Sequence, residues 1–310
     1  MAKPGLLLVP ESSERMLGGA LSDRFEVIRL WEAADPDELL AARGPDVVAS
    51  LALRLDASLL ERLPNLRLVV VPGAGYEHVD LAAARARGVR VANAGDAHSA
   101  DVADHAVALV LASIHRLPAM QAWVQDGRWQ AGLHPEPRHA MSAQRFGLVG
   151  LGNIGTAIAE RLAPFGGKIA WWAPRDKPAR WPRRKRLTDL AEWCTTLIVA
   201  VRGDAEGLVD AGTIDAVGPH GRIVNVSRGR VIDEDALVAA LKDGRLGQAA
   251  LDVFVEEPVS PDRWRDVPNV ILTPHVAGVS CEAMQRLRHA AIRNLTSVLD
   301  GTPLVNELTA

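Results

Sequence analysis

The sequence has little cysteine, almost no net charge and no long apolar run, and each shortage excludes a class of protein. Cys194 and Cys281 are its only cysteines among 310 residues, and they lie far apart, outside any CxxC or metal-ligand spacing. This argues against a disulfide framework and a metal site, so we expect a reducing, cytoplasmic compartment. The first apolar run stops at Pro10, too short for a signal peptide or a membrane span, so we expect neither export nor membrane insertion.

A net charge of -3 at pH 7 gives the chain no general attraction to nucleic acid or anionic membranes. The exception is the segment 175–186, in which seven basic residues face Asp176 alone. A solvated loop is the favoured interpretation of this basic segment, ahead of a nucleic-acid contact, and contact with an anionic group of a cofactor is a third. No nucleic-acid partner is therefore expected.

Short β-branched runs alternate with helix-length amphipathic segments along the whole chain, a pattern typical of an α/β protein with doubly wound parallel sheets. The first series ends near residue 95, with strands predicted in GLLLVP, DVVASLAL, LRLVVVPG and VRVANAG. A single long helix is predicted over 100–127. The second series follows it, with strands predicted in RFGLVGLG, KIAWWAP, TLIVAV, GRIVNVS, QAALDVF and VILTPHV.

The last segment predicts an amphipathic helix that ends at Gly301 as a C-cap, with one apolar face formed by Met284, Leu287, Ala291, Leu295 and Val298. We expect two domains: residues 1–95 with 281–310 bind the substrate, and residues 96–280 bind a dinucleotide.

Three glycines, Gly150, Gly152 and Gly155, have G-x-G-x-x-G spacing after an apolar strand and at the start of an Ala-rich helix. In such a turn the first glycine permits the tight bend, the second lets the backbone approach a pyrophosphate, and the third lets helix and strand pack closely. With both flanks in place, the pattern predicts dinucleotide binding rather than a turn without a ligand.

The cofactor preference depends on the end of the next strand, where an NAD site usually has a carboxylate for the ribose hydroxyl. Here that place holds Ala173, Pro174 and Arg175, and the first acid is Asp176. We therefore predict NADPH, with Arg175 meeting the 2′-phosphate, while NADH and a solvent-facing Arg175 remain the alternative. Arg202, after a later strand, is either a second phosphate ligand or an idle surface residue.

Three chemically distinctive residues follow strands or precede a proline in the second series: Arg228, Glu257 and His275. An arginine fork suits a substrate carboxylate, an imidazole titrates near neutral pH, and a carboxylate beside it favours its charged form. Each residue alone has an ordinary structural explanation. Together, downstream of the glycine turn, they predict a site for carbonyl reduction.

The strings NVSRGRVIDEDAL, ALDVFVEEP and TPHVAG, with VPGAGYEHVDLAAARARGVRVANA and ADVADHAVALVLA, resemble the D-2-hydroxyacid dehydrogenase family over nearly the whole chain. Within it the sequence is most similar to glyoxylate/hydroxypyruvate and hydroxyphenylpyruvate reductases. The resemblance implies a Rossmann cofactor domain inserted into a flavodoxin-like substrate domain, a small 2-keto acid as substrate and a homodimer. It also implies catalytic roles for Arg228, Glu257 and His275.

The resemblance further implies a substrate-carboxylate loop at Ala74 and Gly75, and a contact of Asp252 with the nicotinamide carboxamide. Other cofactor contacts are implied at Asn153, Ile154, Val201, Val226 and Ala277. Specificity for one keto acid is expected to lie around 51–55, at Tyr76 and in the arm around residues 100–145, which with the long helix makes much of the dimer interface in this family. The chain departs from NADPH-using relatives at Ala173 and Pro174, where those proteins usually carry serine and arginine.

Two other functions compete with this prediction. One is an NAD-linked dehydrogenase of another substrate; Glu257 argues against formate, whose enzymes pair a glutamine with the catalytic histidine, and argues only weakly against phosphite. The other is a nucleotide-sensing protein like the corepressors related to this family, which the short ends of the chain disfavour.

Overall fold

The computed structural model describes residues 5–17, 21, 23–51, 55–203 and 205–308. It forms two compact units, the first made of residues 1–98 and 279–310 and the second of residues 99–278. The sequence analysis places the domain boundaries at 95/96 and 280/281. Each unit is an α/β structure around a wholly parallel sheet, which confirms the predicted fold class.

The first unit contains a five-stranded sheet in the order β2-β1-β3-β4-β5. Its strands are β1 Leu6–Leu8, β2 Glu26–Ile28, β3 Val47–Leu51, β4 Leu68–Val70 and β5 Arg90–Ala92. Its first four helices are α1 Glu11–Leu17, α2 Pro36–Arg43, α3 Ala57–Arg62 and α4 Leu81–Ala86. The sequence analysis missed β2 and α1. The edge strand β2 spans only three residues, and of these only Ile28 is buried, so it carries no readable period.

The second unit contains a six-stranded sheet in the order β11-β10-β9-β8-β6-β7. Its helices are α5 Ser99–Ile114, α6 Leu117–Gln125, α7 Asn153–Leu162, α8 Leu187–Trp193, α9 Ala211–Val217, α10 Glu234–Lys242 and α11 Pro261–Trp264. Its strands are β6 Arg145–Val149, β7 Lys168–Trp172, β8 Thr196–Val199, β9 Arg222–Asn225, β10 Gln248–Leu251 and β11 Val270–Leu272. Short 3-10 turns in the chain are Leu30–Glu32, Gly44–Asp46, Met141–Ala143, Ala163–Phe165 and Gly229–Val231.

The single long helix predicted over 100–127 was wrong, because the chain breaks there into α5 and α6 with a bend of 51°. Arg116 adopts the left-handed conformation, with φ 53°. Pro118 has no N–H to donate to the preceding turn, so an uninterrupted helix would lose a hydrogen bond at this point. Within the described ranges no single helix is long and apolar enough to span a membrane, although α5 and α6 pass that test of length and composition as a bent pair.

The last helix, α12 Cys281–Asp300, returns the chain to the first unit. Its C-cap is Gly301 in the left-handed conformation, as the sequence predicts. Beyond it the tail runs antiparallel to β5, with Ala92 opposite Glu307 and the Leu308 N–H donating to the Val91 carbonyl at 2.8 Å. The tail therefore covers the β5 edge of the first sheet, where the backbone would otherwise be open to solvent.

The inner strands of each sheet are buried on both faces, which explains why they are continuously apolar rather than alternating. In β6, Phe146 and Leu148 belong to one apolar cluster and Val149 to the opposite one. In β1, Leu6 and Leu8 pack on one side of the first sheet and Leu7 on the other. Polar and charged side chains are thereby displaced to the loops at the strand ends, where the candidate site lies.

Candidate active site

The glycine turn joins β6 to α7 and is shaped by backbone contacts. Gly150 has φ +94°, and a Cβ there would lie 2.7 Å from the Ala200 carbonyl oxygen. A Cβ on Gly155 would overlap the Gly150 carbonyl, whereas one on Gly152 would meet nothing within 4 Å. The first and third glycines are thus required by the fold, and the second leaves open space beside the N-terminus of α7, which begins at Asn153. The turn fits a pyrophosphate.

The end of β7 carries cations near the glycine turn. Arg175 is exposed there, and Asp176 lies 3.8 Å from Arg183. The Lys177 ammonium donates a hydrogen bond to the Leu151 carbonyl, inside the glycine turn itself. Sequence reasoning missed Lys177, because one lysine among seven basic residues carries no distinguishing period. Arg202 is also exposed, at the end of β8.

The rest of the basic segment is only partly a solvated loop, which corrects the favoured interpretation of 175–186. The backbone at 182–184 runs beside β7, where Trp171 donates to the Pro182 carbonyl at 3.1 Å and accepts from Arg184 at 2.8 Å. The Arg183 and Arg184 guanidinium groups lie 5.8 and 4.6 Å from the ring centroids of Trp171 and Trp193. Such cation–π contacts hold both arginines against the protein.

Glu257 and His275 come together as predicted for an acid–base pair, with His275 Nδ1 2.6 Å from Glu257 Oε2. The other carboxylate oxygen accepts the Phe254 N–H at 2.9 Å, which fixes the orientation of the carboxylate. Because a carboxylate can only accept, Nδ1 carries the proton of this hydrogen bond. The ring is 45% exposed, and it can offer Nε2 to a substrate.

The backbone of His275 is left-handed, with φ 53°, a conformation that non-glycine residues rarely adopt. Asp252 holds it in place from the end of β10. The Asp252 carbonyl accepts the His275 N–H at 2.8 Å, and the carboxylate accepts the N–H groups of Val276 at 3.0 Å and Ala277 at 2.9 Å. The Thr273 hydroxyl donates to the same carboxylate at 2.6 Å.

The Asp252 side chain is 1% exposed. Burial by itself would raise the pKa of this carboxyl, but the His105 ring 3.5 Å away and the hydrogen bonds from Thr273 and the two backbone amides outweigh burial and lower the pKa below its usual value. The group is therefore an ionised acceptor that organises the segment 273–277. Its predicted contact with the nicotinamide carboxamide stays a prediction.

Arg228 lies two residues beyond Val226 at the end of β9, half-buried, with Nη1 donating to the Ser227 carbonyl at 2.8 Å. Asn225, 1% exposed, supports this loop by donating to the Arg228 carbonyl at 3.0 Å. The next residue, Gly229, touches the loop that carries Glu257, because a Cβ there would overlap the Phe254 carbonyl group. The loops of Arg228 and Glu257 are thus in backbone contact.

In the first unit, the predicted carboxylate loop follows β4 and is anchored by Asn93. The Asn93 amide donates to the Ala74 carbonyl at 2.8 Å, and the Ala94 N–H donates to the Gly73 carbonyl at 3.0 Å. The role of Ala74 and Gly75 stays a prediction. In the predicted specificity region 51–55, residues 52–54 lie outside the described residues.

Comparison with known proteins decides the family. Residues 107–277 match the model of the D-isomer specific 2-hydroxyacid dehydrogenase NAD binding domain. The chain belongs to this family. It is 34% identical to glyoxylate/hydroxypyruvate reductase A of Arabidopsis thaliana and to hydroxyphenylpyruvate reductase of Plectranthus scutellarioides, in both cases over 97% of each chain.

Solved structures of this family match the chain over nearly its whole length. A 2-hydroxyacid dehydrogenase from Ketogulonicigenium vulgare Y25 superposes with a TM-score of 0.92 at 38% identity, covering 99% of both chains. An NADPH-dependent glyoxylate/hydroxypyruvate reductase from Sinorhizobium meliloti, in complex with NADP and malonate, gives 0.89 at 34% identity over 98% of this chain and 97% of that one. As a 2-hydroxyacid dehydrogenase, the chain is an NAD(P)-dependent oxidoreductase.

The remaining predicted cofactor residues of this dehydrogenase also lie at the carboxyl ends of the second sheet or beside them. Val226 and Ala277 are buried, Val201 and Ile154 are half-buried, and Asn153 opens α7. Parallel α/β sheets bind ligands outside the carboxyl ends of their strands. This placement is what the predicted contacts require, and the contacts themselves stay predictions.

Proposed function

We propose that this dehydrogenase reduces small 2-keto acids of the glyoxylate and hydroxypyruvate type to D-2-hydroxy acids, with NADPH as the preferred cofactor. The observation that carries the proposal is the 2.6 Å contact between His275 and Glu257. This pair lies at the carboxyl ends of the strands, where the glycine turn also lies. The names of the relatives described above support the substrate class.

Reduction of a 2-keto acid adds a hydride to C2 and a proton to the carbonyl oxygen. The bound nicotinamide would supply the hydride. His275 donates the proton from Nε2, while Glu257 keeps the ring oriented through Nδ1. The Arg228 guanidinium binds the substrate carboxylate with its planar fork of N–H donors. Neither Glu257 nor Asp252 transfers a proton to the substrate in this scheme.

The test of this function is turnover of a panel of keto acids, followed by the absorbance of NADPH. Glyoxylate and hydroxypyruvate are expected to be reduced, and their esters and amides are expected to be inert because they offer Arg228 no carboxylate. Turnover by this chain would also separate an enzyme from a nucleotide-sensing protein. Reduction of the amides at the same rate as the acids would contradict the proposed role of Arg228.

The preference for NADPH is supported by the strand end after β7, where Arg175 and Lys177 supply positive charge. Binding of 2′,5′-ADP and 5′-AMP, measured by calorimetry, isolates the 2′-phosphate from the rest of the cofactor. We expect Lys177→Ala and Arg175→Ala each to weaken 2′,5′-ADP binding about fivefold and to leave 5′-AMP binding unchanged. Lys185→Ala, also exposed, is the matched control. Equal use of NADH by the wild type would contradict the preference.

We further propose a homodimer that covers α6 and the segment after it. No residue of α6 is buried, and exposed apolar side chains include Leu117 at 54%, Val124 at 57%, Trp129 at 65% and Leu133 at 52%. Large apolar side chains left exposed in one segment of the chain favour an interface there. Sedimentation should give a dimer for the wild type and a monomer for Trp129→Asp, with Phe165→Ser as a control outside the segment. A monomeric wild type would refute the dimer.

A reducing, cytoplasmic location is the corresponding proposal for the compartment. It is supported by the two thiols, since Cys194 and Cys281 are both free. Fractionation of cells that produce the protein would test it.

A further inference from the structure

One side chain outside the proposed catalytic group reaches the segment that carries His275. His105 lies on α5, on a face otherwise formed by apolar residues such as Val102, Ala106 and Leu109. Its Nε2 is 3.0 Å from the Thr273 hydroxyl and 3.5 Å from Asp252 Oδ1. The ring is 23% exposed, so this contact lies mostly away from solvent.

The direction of the hydrogen bonds follows from the number of protons available. Asp252 is ionised, because its hydrogen bonds lower its pKa, and it can only accept. The Thr273 hydroxyl has one proton, which goes to Asp252 at 2.6 Å. The hydroxyl must then accept from His105, so Nε2 of His105 carries a proton. The chain of donors runs from His105 through Thr273 to Asp252.

That chain ends on the group that fixes the unusual backbone at His275. Asp252 binds the residues on both sides of His275, namely Thr273 before it and Val276 and Ala277 after it. A left-handed histidine needs such support, because an L-residue pays about 1 kcal/mol or more for this conformation. If the Thr273 hydroxyl were free to rotate, its proton would no longer be committed to Asp252.

We propose that His105 is a positioning residue for the catalytic imidazole: through Thr273 and Asp252 it holds the segment 273–277 so that His275 stays aligned with Glu257. The proposal rests on the proposed function, in which His275 is the proton donor. His105 itself transfers no proton and touches no substrate in this scheme.

The experiment compares a variant that removes the donor with one that replaces it. His105→Leu removes the N–H at similar size, and His105→Gln places an amide N–H near the position of Nε2. Thr273→Val removes the hydroxyl, and Thr273→Ser keeps it. For glyoxylate reduction we expect His105→Leu and Thr273→Val to lower kcat about 10- to 100-fold with little change in KM or in NADPH affinity. The Gln and Ser variants should recover most of the rate.

The double variant His105→Leu/Thr273→Val should cost no more than either single change, because both interrupt the same chain of hydrogen bonds. If the role of His105 were purely structural, His105→Leu would instead lower the unfolding temperature and leave kcat intact, so that glutamine would have no lost rate to restore. Full activity in His105→Leu, or additive losses in the double variant, would overturn the proposal.

A measurement that needs no turnover separates this proposal from the proposed function. The Nδ1–H of His275, held by Glu257, should give a downfield proton resonance in water, identified by its absence in His275→Ala. We expect this resonance to broaden or vanish in His105→Leu and to persist in His105→Gln. If the wild type reduces no keto acid but the resonance behaves in this way, the proposed function fails and the positioning role stands. An unchanged resonance in His105→Leu overturns the positioning role.

Discussion

Polar networks lie at both ends of the strands of the second sheet, at the amino ends (the amino edge) and at the carboxyl ends (the carboxyl edge). The two networks are built from different groups. At the amino ends of the strands, Arg222 is the centre: its Nη1 donates to Gln144 Oε1 at 3.1 Å and its Nε to Gln248 Oε1 at 3.4 Å. Thr195 and Ser113 donate to the same two amide oxygens, each at 2.9 Å. Burial lowers the pKa of the Arg222 guanidinium. At the carboxyl ends, the acceptors are the carboxylates of Asp252 and Glu257.

The difference shows what distinguishes a reactive edge from a structural one. At the amino edge the acceptors are neutral amides, and their donors are a cation and hydroxyls that are partly or wholly buried. At the carboxyl edge one ionised carboxylate is buried and binds backbone, and the other holds an imidazole that remains nearly half exposed. Buried polar groups alone therefore do not indicate chemistry; an exposed, oriented titratable group beside them does. Substitutions at the carboxyl edge should therefore lower activity and leave stability nearly unchanged, and substitutions at the amino edge should lower stability and leave activity unchanged.

The largest expected effect is at the carboxyl edge. His275→Ala should lower kcat/KM for keto-acid reduction by about 10²- to 10⁴-fold, the usual contribution of a general acid. Its side chain is nearly half exposed, so the unfolding temperature should change little, and NADPH should still bind at the glycine turn. Steady-state kinetics, cofactor fluorescence and a thermal melt test the three expectations. A large loss of stability would remove the distinction between the edges.

Arg228→Ala should have the next largest effect on activity. A substrate carboxylate left without its partner costs roughly 2 to 5 kcal/mol, or about 30-fold to several-thousand-fold in kcat/KM. Arg230→Ala, an exposed arginine two residues along, is the matched control and should behave like the wild type. Reduction at the wild-type rate by Arg228→Ala would show that the carboxylate is bound elsewhere.

At the amino edge a substitution should lower stability and leave activity unchanged. Gln144 is 3% exposed, and Gln144→Leu would leave Arg222 and Thr195 without their shared acceptor. Unsatisfied buried donors cost about 1 to 3 kcal/mol each, so the free energy of unfolding should fall by an amount of that order. The kcat at a temperature where the variant is folded should be unchanged. Urea unfolding combined with kinetics tests this, and a selective loss of kcat would contradict it.

The smallest expected effect on activity is at Glu257. In Glu257→Gln an amide replaces the carboxylate that accepts the hydrogen bond from His275 Nδ1, so the ring keeps a hydrogen-bonding neighbour but loses a charge-assisted hydrogen bond. We expect kcat/KM for glyoxylate to fall by about 10-fold and NADPH affinity to stay unchanged. Steady-state kinetics and a cofactor titration test both expectations. An unchanged kcat/KM would point to Glu256 or to a purely structural Glu257.

The sequence predicts the second sheet well because each of its strands contains a run of apolar residues, which is buried in every strand except β11. It also predicts Glu257 and His275 as a pair, since three motifs occur together in family order. It does not predict β2, whose three residues carry no period, or the break at Arg116, which depends on a single left-handed residue.

Other features of the site depend on contacts between residues that are distant in sequence. Lys177 reaches Leu151 across 26 residues, and His105 reaches Thr273 across 168. Neither spacing belongs to a helix or strand period, so no local pattern indicates these contacts. The hydrogen bonds from Asp252 to the backbone around His275 cannot be predicted for the same reason. They join the ends of two strands, and neither composition nor local spacing indicates them.

The contact between Gly229 and Phe254 constrains how this protein can be altered by laboratory evolution. Because backbone meets backbone there, every side chain at 229 would collide with the neighbouring loop, and the spacing between the two loops has no adjustable part. The distance between the loops of Arg228 and Glu257 therefore cannot be increased gradually by enlarging the residue at 229. Libraries aimed at bulkier acids should keep position 229 fixed and diversify other segments.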